Sequence, residues 1–167
     1  MQERGPVEAL TSARLALGAG TAGAVVAVDQ LTKSWALRAL DDGPVHVVWT
    51  LRFKLSFNSG AAFGLGQGLA PLFMVVAIAV LVVLVGFGRG AATTPVAAVA
   101  LGLVAGGAAG NLADRFLRDH GGAVVDFIDL RWWPVFNVAD AALSVGALAF
   151  VLSARTRTDP VGVGTAS

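Results

Sequence analysis

The chain of 167 residues contains no cysteine, which removes disulfides, thiolate metal sites and a cysteine nucleophile together. Its two histidines, His46 and His120, stand far apart in sequence, and this argues against a His-rich metal site. Charge is also scarce. Only 14% of residues are charged, and 12 Lys and Arg against 11 Asp and Glu leave a net charge of +1. That is no basic excess with which to neutralise a nucleic-acid backbone, so nucleic acid is not an expected partner. The 21 glycines follow no fixed triplet, and polar sequence is too sparse for a collagen-like or disordered chain. Any chemistry must come from carboxylates, amides or hydroxyls.

Apolar sequence is what the chain has in plenty: 56% of it is hydrophobic and the mean hydropathy is +0.73. A membrane-spanning helix takes roughly 20 apolar residues, and four such stretches fit. The first apolar run, 15–28, is short enough to suit the core of a cleaved signal peptide. Helix-compatible sequence continues through DQLTKSWALRAL, however, where Asp29 and Lys33 at i and i+4 leave one face polar while Leu31, Trp35 and Ala36 extend the other. A retained helix over about 15–36 is the preferred reading. Residues 69–87 form the clearest span. Residues 96–113 carry Gly102, Gly106 and Gly110 at intervals of four, a stripe that lets a neighbouring backbone approach. The last span, 136–154, is followed by Arg155 and Arg157 at the headgroup level.

The four spans and their two long loops, 37–68 and 114–135, make a single integral membrane domain over 1–167. Lys and Arg are too evenly divided between the two sides to orient it. Trp35, Trp49, Trp132 and Trp133 all fall on the long-loop side. On that side LRFKLSF, 51–57, alternates strictly and reads as a strand lying on the membrane surface, with 45–48 and 124–127 as its candidate partners. The expected fold is a mainly α membrane protein, four transmembrane helices with a small β-sheet on the membrane surface.

Polar residues collect where the long loops meet the helix ends: Asn58 and Ser59, Asn111, Asp114 and Arg115, Asp126, Asn137 and Asp140. Ionisable groups near hydrocarbon cost roughly 2.5–3.5 kcal/mol each at a helix centre and less toward the interface, so their convergence suggests a site. Each also has a structural reading. Asn137 and Asp140 fit a capping box for the last helix. Asp114 with Arg118, and Asp29 with Lys33, fit exposed i,i+4 pairs worth about 0.2–0.5 kcal/mol. Asn58, Ser59 and Gly60 fit a turn.

Asp126 is harder to explain away, because it stands in the apolar run VVDFI with no basic residue within three positions. If it faces Asp140, both carboxyls cannot ionise comfortably, and one keeps its proton. That is the arrangement of an aspartic peptidase: the ionised carboxylate takes a proton from water and the protonated one donates to the scissile carbonyl. The N-terminal position of Asp140 on its helix favours the anion there. A serine route through Ser59 with Lys33 as base lacks the Gly-x-Ser-x-Gly elbow. A proton or solute pathway would need polar groups through the whole bundle, and 69–87 has none.

In order along the chain, DQLTK, FNSGAAFG, GNLADR, VVDF and FNVAD resemble the boxes of the bacterial lipoprotein signal peptidase family, signal peptidase II. The resemblance implies an integral membrane aspartic endopeptidase that cuts diacylglyceryl-modified prolipoproteins just before the lipidated cysteine. It places the catalytic pair on Asp126 and Asp140, polar-pocket roles on Asn58, Asn111, Arg115 and Asn137, and fold-supporting roles on Asp29, Lys33, Gly110 and Asp114. It further implies no metal or organic cofactor, a bacterial plasma-membrane location with both termini cytoplasmic, an exoplasmic active site and sheet, and sensitivity to the antibiotic globomycin. The expected partners are the lipidated precursor and membrane lipid, with the enzyme a monomer. Gly60, Ala61, Ala62, Ala108 and Ala109 leave room for substrate or allow tight packing. Residues 1–14 match no family box. The 14 positions from Asp126 to Asp140 limit how far RWWP can reach over the pocket.

Overall fold

A computed structural model describes residues 5–59 and 91–155. The expected span 69–87, with Gly60, Ala61 and Ala62, lies outside the described residues. Those described form helix α1 (Pro6–Ala39), strands β1 (Val45–Val48) and β2 (Leu51–Asn58), helix α2 (Pro95–Leu117), strand β3 (Val124–Asp129) and helix α3 (Val138–Arg155). The described residues are mainly helical with one three-stranded antiparallel sheet, ordered β1-β2-β3. Among the described residues, two helices are long and apolar enough to cross a membrane, over Val7–Ala39 and Pro95–Leu117, and Val138–Ser153 is a shorter apolar helix.

Each long helix starts on proline, whose missing N–H costs nothing in the first turn. In α2 the start is fixed further by Thr94, whose side chain accepts a hydrogen bond from the Ala97 amide at 3.0 Å. α1 begins well before position 15, so the segment that matched no family box is helical from Pro6 onward.

The glycine stripe of α2 meets α1. A Cβ on Gly106 would lie 2.7 Å from the Ala22 carbonyl oxygen and 2.8 Å from the Val25 Cβ, and one on Gly102 would strike the Gly18 carbonyl. On its other face, Gly107 lies against α3, where a Cβ would approach Leu143 Cγ to 2.8 Å. Gly146 of α3 packs equally closely on α2, its Cβ position 2.8 Å from the Ala100 carbonyl oxygen. Among the described helices α2 is therefore the central one, held at backbone contact on two sides. Such spacing leaves little room for side chains, and it brings polar groups of the three described helices within hydrogen-bond reach at one end.

The sheet sits over the C-terminal end of α1. Ala36, Leu40 and Phe127 form a buried cluster joined by Phe53, Leu55, Ile128 and Val138. Trp35 meets Phe53 and Phe127 edge-on, with ring centroids 5.3 and 6.1 Å apart. The register of β2 against β3 shifts between Phe53 and Ser56. Strict alternation is lost there, and Phe57, expected on the apolar face with Phe53 and Leu55, is half exposed beside the His120 ring. β3 runs two residues beyond the expected 124–127 and is buried along almost its whole length. Trp49 at the β1–β2 turn and Trp132 and Trp133 beyond β3 are exposed.

Candidate active site

Five elements bring polar side chains to one place: α1 supplies Asp29, Gln30 and Lys33; the end of β2 supplies Asn58; α2 supplies Asn111, Asp114 and Arg115, with Arg118 as its C-cap; β3 supplies Asp126; the start of α3 supplies Asn137 and Asp140. Asp29, Lys33, Asp114 and Asn137 are wholly buried, and Asp126 nearly so. Among the described residues no buried side-chain nitrogen or oxygen lacks a partner.

At the base of the cluster lies Lys33. Its ammonium reaches Asp29 Oδ2 at 2.8 Å, Asp114 Oδ2 at 2.9 Å and Asn111 Oδ1 at 3.0 Å. The remaining carboxylate oxygens are occupied as well. Asp29 Oδ1 accepts from the Ala139 amide at 3.0 Å, tying α1 to the first turn of α3. Asp114 Oδ2 accepts from the Val125 amide at 2.9 Å, and Asp114 Oδ1 accepts from Gln30 Nε2 and Arg118 Nε. The i,i+4 pairs expected on the surface, Asp29 with Lys33 and Asp114 with Arg118, both form, but they form inside the protein. The small surface value does not apply to them. Breaking a buried pair leaves an uncompensated charge at a cost of about 3–5 kcal/mol. Enclosed in this way, Lys33 is not a base directed at Ser59.

Above this base stand the two candidate catalytic carboxyls, joined through Asn137. The Asn137 amide group donates from Nδ2 to Asp126 Oδ1 at 2.6 Å, while its backbone N–H donates to Asp140 Oδ2 at 3.2 Å. Asn137 Oδ1 in turn accepts from the Asp140 backbone N–H at 2.9 Å. This is the reciprocal capping box expected at the start of the last helix, with aspartate in place of glutamate. Asn111 Nδ2 donates to Asp140 Oδ1 at 2.8 Å, and Asn58 hydrogen-bonds Asp126 from the end of β2. The guanidinium of Arg115 donates to the Gly122 carbonyl at 3.2 Å and lies close enough to feel the charges of Asp126, Asp114 and Asp140.

Burial pushes the Asp126 carboxyl up to about 7, and the negative charge of Asp140 pushes in the same direction; hydrogen bonds from Asn58 and Asn137 and the charge of Lys33 oppose them. A carboxyl raised this far keeps its proton to near neutral pH, the state a general acid needs.

Gly110 belongs to the same construction: a Cβ there would sit 2.7 Å from Asp29 Oδ2. The ten residues to which the resemblance assigns a role are therefore in or against one connected cluster. Sequence reasoning passed over Gln30, which touches Asp29, Asp114 and the Gly110 carbonyl. A polar residue between Asp29 and an apolar Leu31 was the available signal. It also passed over Arg52 and Asp129, a cross-strand ion pair at 2.6 Å. Among the described residues no three His, Asp or Glu side chains converge as a metal site.

A family model described as signal peptidase (SPase) II matches residues 21–155. The chain belongs to the signal peptidase II family. It is 41% identical over 162 residues to a lipoprotein signal peptidase of Rhodococcus jostii (strain RHA1), covering 94% of this chain and 81% of that protein. With the lipoprotein signal peptidase of Mycobacterium avium (strain 104) it shares 42% identity over 144 residues, 83% of this chain and 79% of the relative. Two solved structures of bacterial membrane enzymes superpose with TM-scores of 0.76 and 0.74, at 29% and 31% identity. They cover 90% and 84% of this chain, and the match takes in 94% of each of theirs. Membership makes the chain a peptidase of a membrane-protein family. The matched residues 21–155 take in every residue of the polar cluster.

Proposed function

We propose that the chain is an aspartic endopeptidase that removes the signal peptide from diacylglyceryl-modified prolipoproteins, cutting just before the lipidated cysteine. The observation that carries this reading is the meeting of Asp126 and Asp140 on the two ends of Asn137. Asp126, with its raised carboxyl, is the acid, and Asp140 is the base. Water attacks the scissile carbonyl carbon and gives a proton to Asp140 while Asp126 gives its proton to the carbonyl oxygen. The resulting gem-diol collapses as Asp140 returns a proton to the leaving nitrogen and Asp126 recovers one from a hydroxyl. Asn58, Asn111 and Asn137 hold the carboxyls, and Arg115 sets the local charge.

The same reading places the chain in the bacterial plasma membrane as one domain with four spans, at about 15–36, 69–87, 96–113 and 136–154, both termini cytoplasmic. The dyad and the sheet then stand at the exoplasmic side, where the exposed Trp49, Trp132 and Trp133 suit an interface. A lipidated substrate moving in the bilayer plane reaches such a site laterally. The names of the relatives support the substrate class.

The test is processing of a diacylglyceryl-modified precursor by purified protein in lipid. Wild type should release the signal peptide and leave the unmodified precursor intact, and Asp126→Asn and Asp140→Asn should each lose turnover while remaining folded. Near-normal turnover by either variant removes that aspartate from the dyad.

A further inference from the structure

Asn111 is the one side chain, among those described, that touches both the buried ammonium and a dyad carboxyl. Its Oδ1 accepts from Lys33 Nζ at 3.0 Å and from Asn137 Nδ2 at 3.1 Å, and its Nδ2 donates to Asp140 Oδ1 at 2.8 Å. A carboxamide can turn end for end, and its two ends are nearly isosteric. An ammonium cannot: it has three donors and no acceptor. All three donors of Lys33 are spoken for, by Asp29, Asp114 and Asn111. With the Asn111 amide reversed, its NH2 would face the Lys33 ammonium and the Asn137 NH2, and its oxygen would face the Asp140 carboxylate. Three attractive contacts would become three repulsive ones.

We propose that Lys33 is a positioning residue for hydrolysis, acting through Asn111: the buried ammonium fixes the Asn111 amide so that its NH2 group, and not its oxygen, is presented to Asp140. The proposal rests on the dyad reading above and extends it from the carboxyls to the helix that faces them. Asp29 and Asp114 hold Lys33 in place, and Gln30 and Arg118 complete Asp114. The DQLTK segment of α1 thereby does more than close the fold. Through one amide it determines which hydrogen-bond partner the base sees: an NH2 donor at 2.8 Å and not an oxygen.

A double-mutant cycle on turnover tests this. Lys33→Met alone strands two carboxylates, so it is combined with Asp29→Asn, which removes one charge of each sign. D29N/K33M should lower kcat by about 10- to 100-fold, the scale of a misplaced catalytic group, with KM for the lipidated precursor within about twofold. Asn111→Ala should lower kcat similarly, and the triple variant should be no worse than Asn111→Ala, because the two act on Asp140 in series. A merely structural Lys33 would instead give additive losses, or a fall in melting temperature with unchanged kcat in the folded fraction; either result overturns the proposal. Should D29N/K33M not fold, Lys33→Arg and Lys33→Gln carry the test. The guanidinium is also donor-only and should keep kcat within about threefold, whereas glutamine can turn its oxygen to Asn111 and should lose about tenfold or more. Equal kcat in the two overturns the proposal. Asp126→Asn and Asp140→Asn are run alongside. If either stays active, the dyad reading fails; if both are dead and the cycle is additive, the role of Lys33 alone fails.

Discussion

Replacing Asp126 by asparagine should abolish peptidase activity and, at neutral pH, make the protein more stable. Asp126 is 2% exposed, and its carboxyl is pushed from an ordinary 3.8 to about 7 by burial first and by the charge of Asp140 second. Below pH 3.8 the group is protonated in both the folded and the unfolded chain and contributes no pH dependence. As pH rises from 3.8 toward 7, the unfolded chain releases this proton while the folded chain keeps it, so the wild type loses stability over that interval. Each pH unit is worth about 1.4 kcal/mol, and the interval amounts to about 4 kcal/mol, complete above pH 7. Asparagine is a neutral isostere and escapes the loss. It keeps an oxygen for Asn137 Nδ2 but turns an NH2 toward one of its former donors, at a cost of about 1 kcal/mol. The variant should therefore be about 3 kcal/mol more stable than wild type at pH 8, or roughly 6–12 °C in melting temperature for a chain of this size. At pH 4 the advantage should vanish. Thermal unfolding in detergent between pH 4 and pH 8, followed by tryptophan fluorescence, measures it. Parallel melting curves for the two proteins across that range would refute the burial argument, whatever the activity of the variant.

Activity should follow the same proton. Because Asp126 must enter the reaction protonated, kcat/KM should fall above an apparent pKa of about 7, and a flat profile to pH 9 would exclude it as the acid. Gly110→Ala should push the Asp29 carboxylate off Lys33 and destabilise the protein by about 1–3 kcal/mol. Gly106→Ala, which meets Ala22 backbone and so has no flexible neighbour to displace, should cost more than Gly110→Ala, and the two melting temperatures rank them. Asp129→Ala removes the partner of Arg52 and the acceptor of the Arg131 amide at 2.7 Å, at a cost of about 1–3 kcal/mol. Hydrogen exchange at the Arg131 amide should quicken while the Ala139 amide, held by Asp29, keeps its protection.

The elements that were legible in the sequence are those whose pattern is local. Alternation in LRFKLSF marked β2, the valine-rich neighbours marked β1 and β3, and glycines at intervals of four marked the face of α2 that α1 approaches. What was not legible depends on a second element. The pairing of Lys33 with Asp29 is written in the i,i+4 spacing, but its burial comes from Asp114 on α2, and no spacing within α1 reveals that. The register shift that turns Phe57 out of the core is a property of β2 against β3 and not of either strand alone. Gln30 was overlooked for a related reason: its partners are Asp29, the Gly110 carbonyl, Asp114 and Arg118, and all but Asp29 lie on another helix or at its end.

The start of α3 also shows why a choice between cap and catalyst was the wrong one to put to Asn137 and Asp140. A carboxylate has two oxygens and a carboxamide two ends, and here each is divided between the tasks. Asp140 gives Oδ2 to the backbone amide of Asn137 and Oδ1 to Asn111; Asn137 gives Oδ1 to the backbone amide of Asp140 and Nδ2 to Asp126. The cap orders the two side chains at the first turn, and that order is what aims their remaining atoms at each other's partners. It follows that Asn137→Ser, which can still cap but has no NH2 group, separates the functions. In that variant α3 should keep its start and the protein its fold, while Asp126 loses its short hydrogen bond and turnover falls by about 10- to 100-fold. A loss of stability in proportion to the loss of turnover would mean that the cap and the dyad cannot be divided in this way.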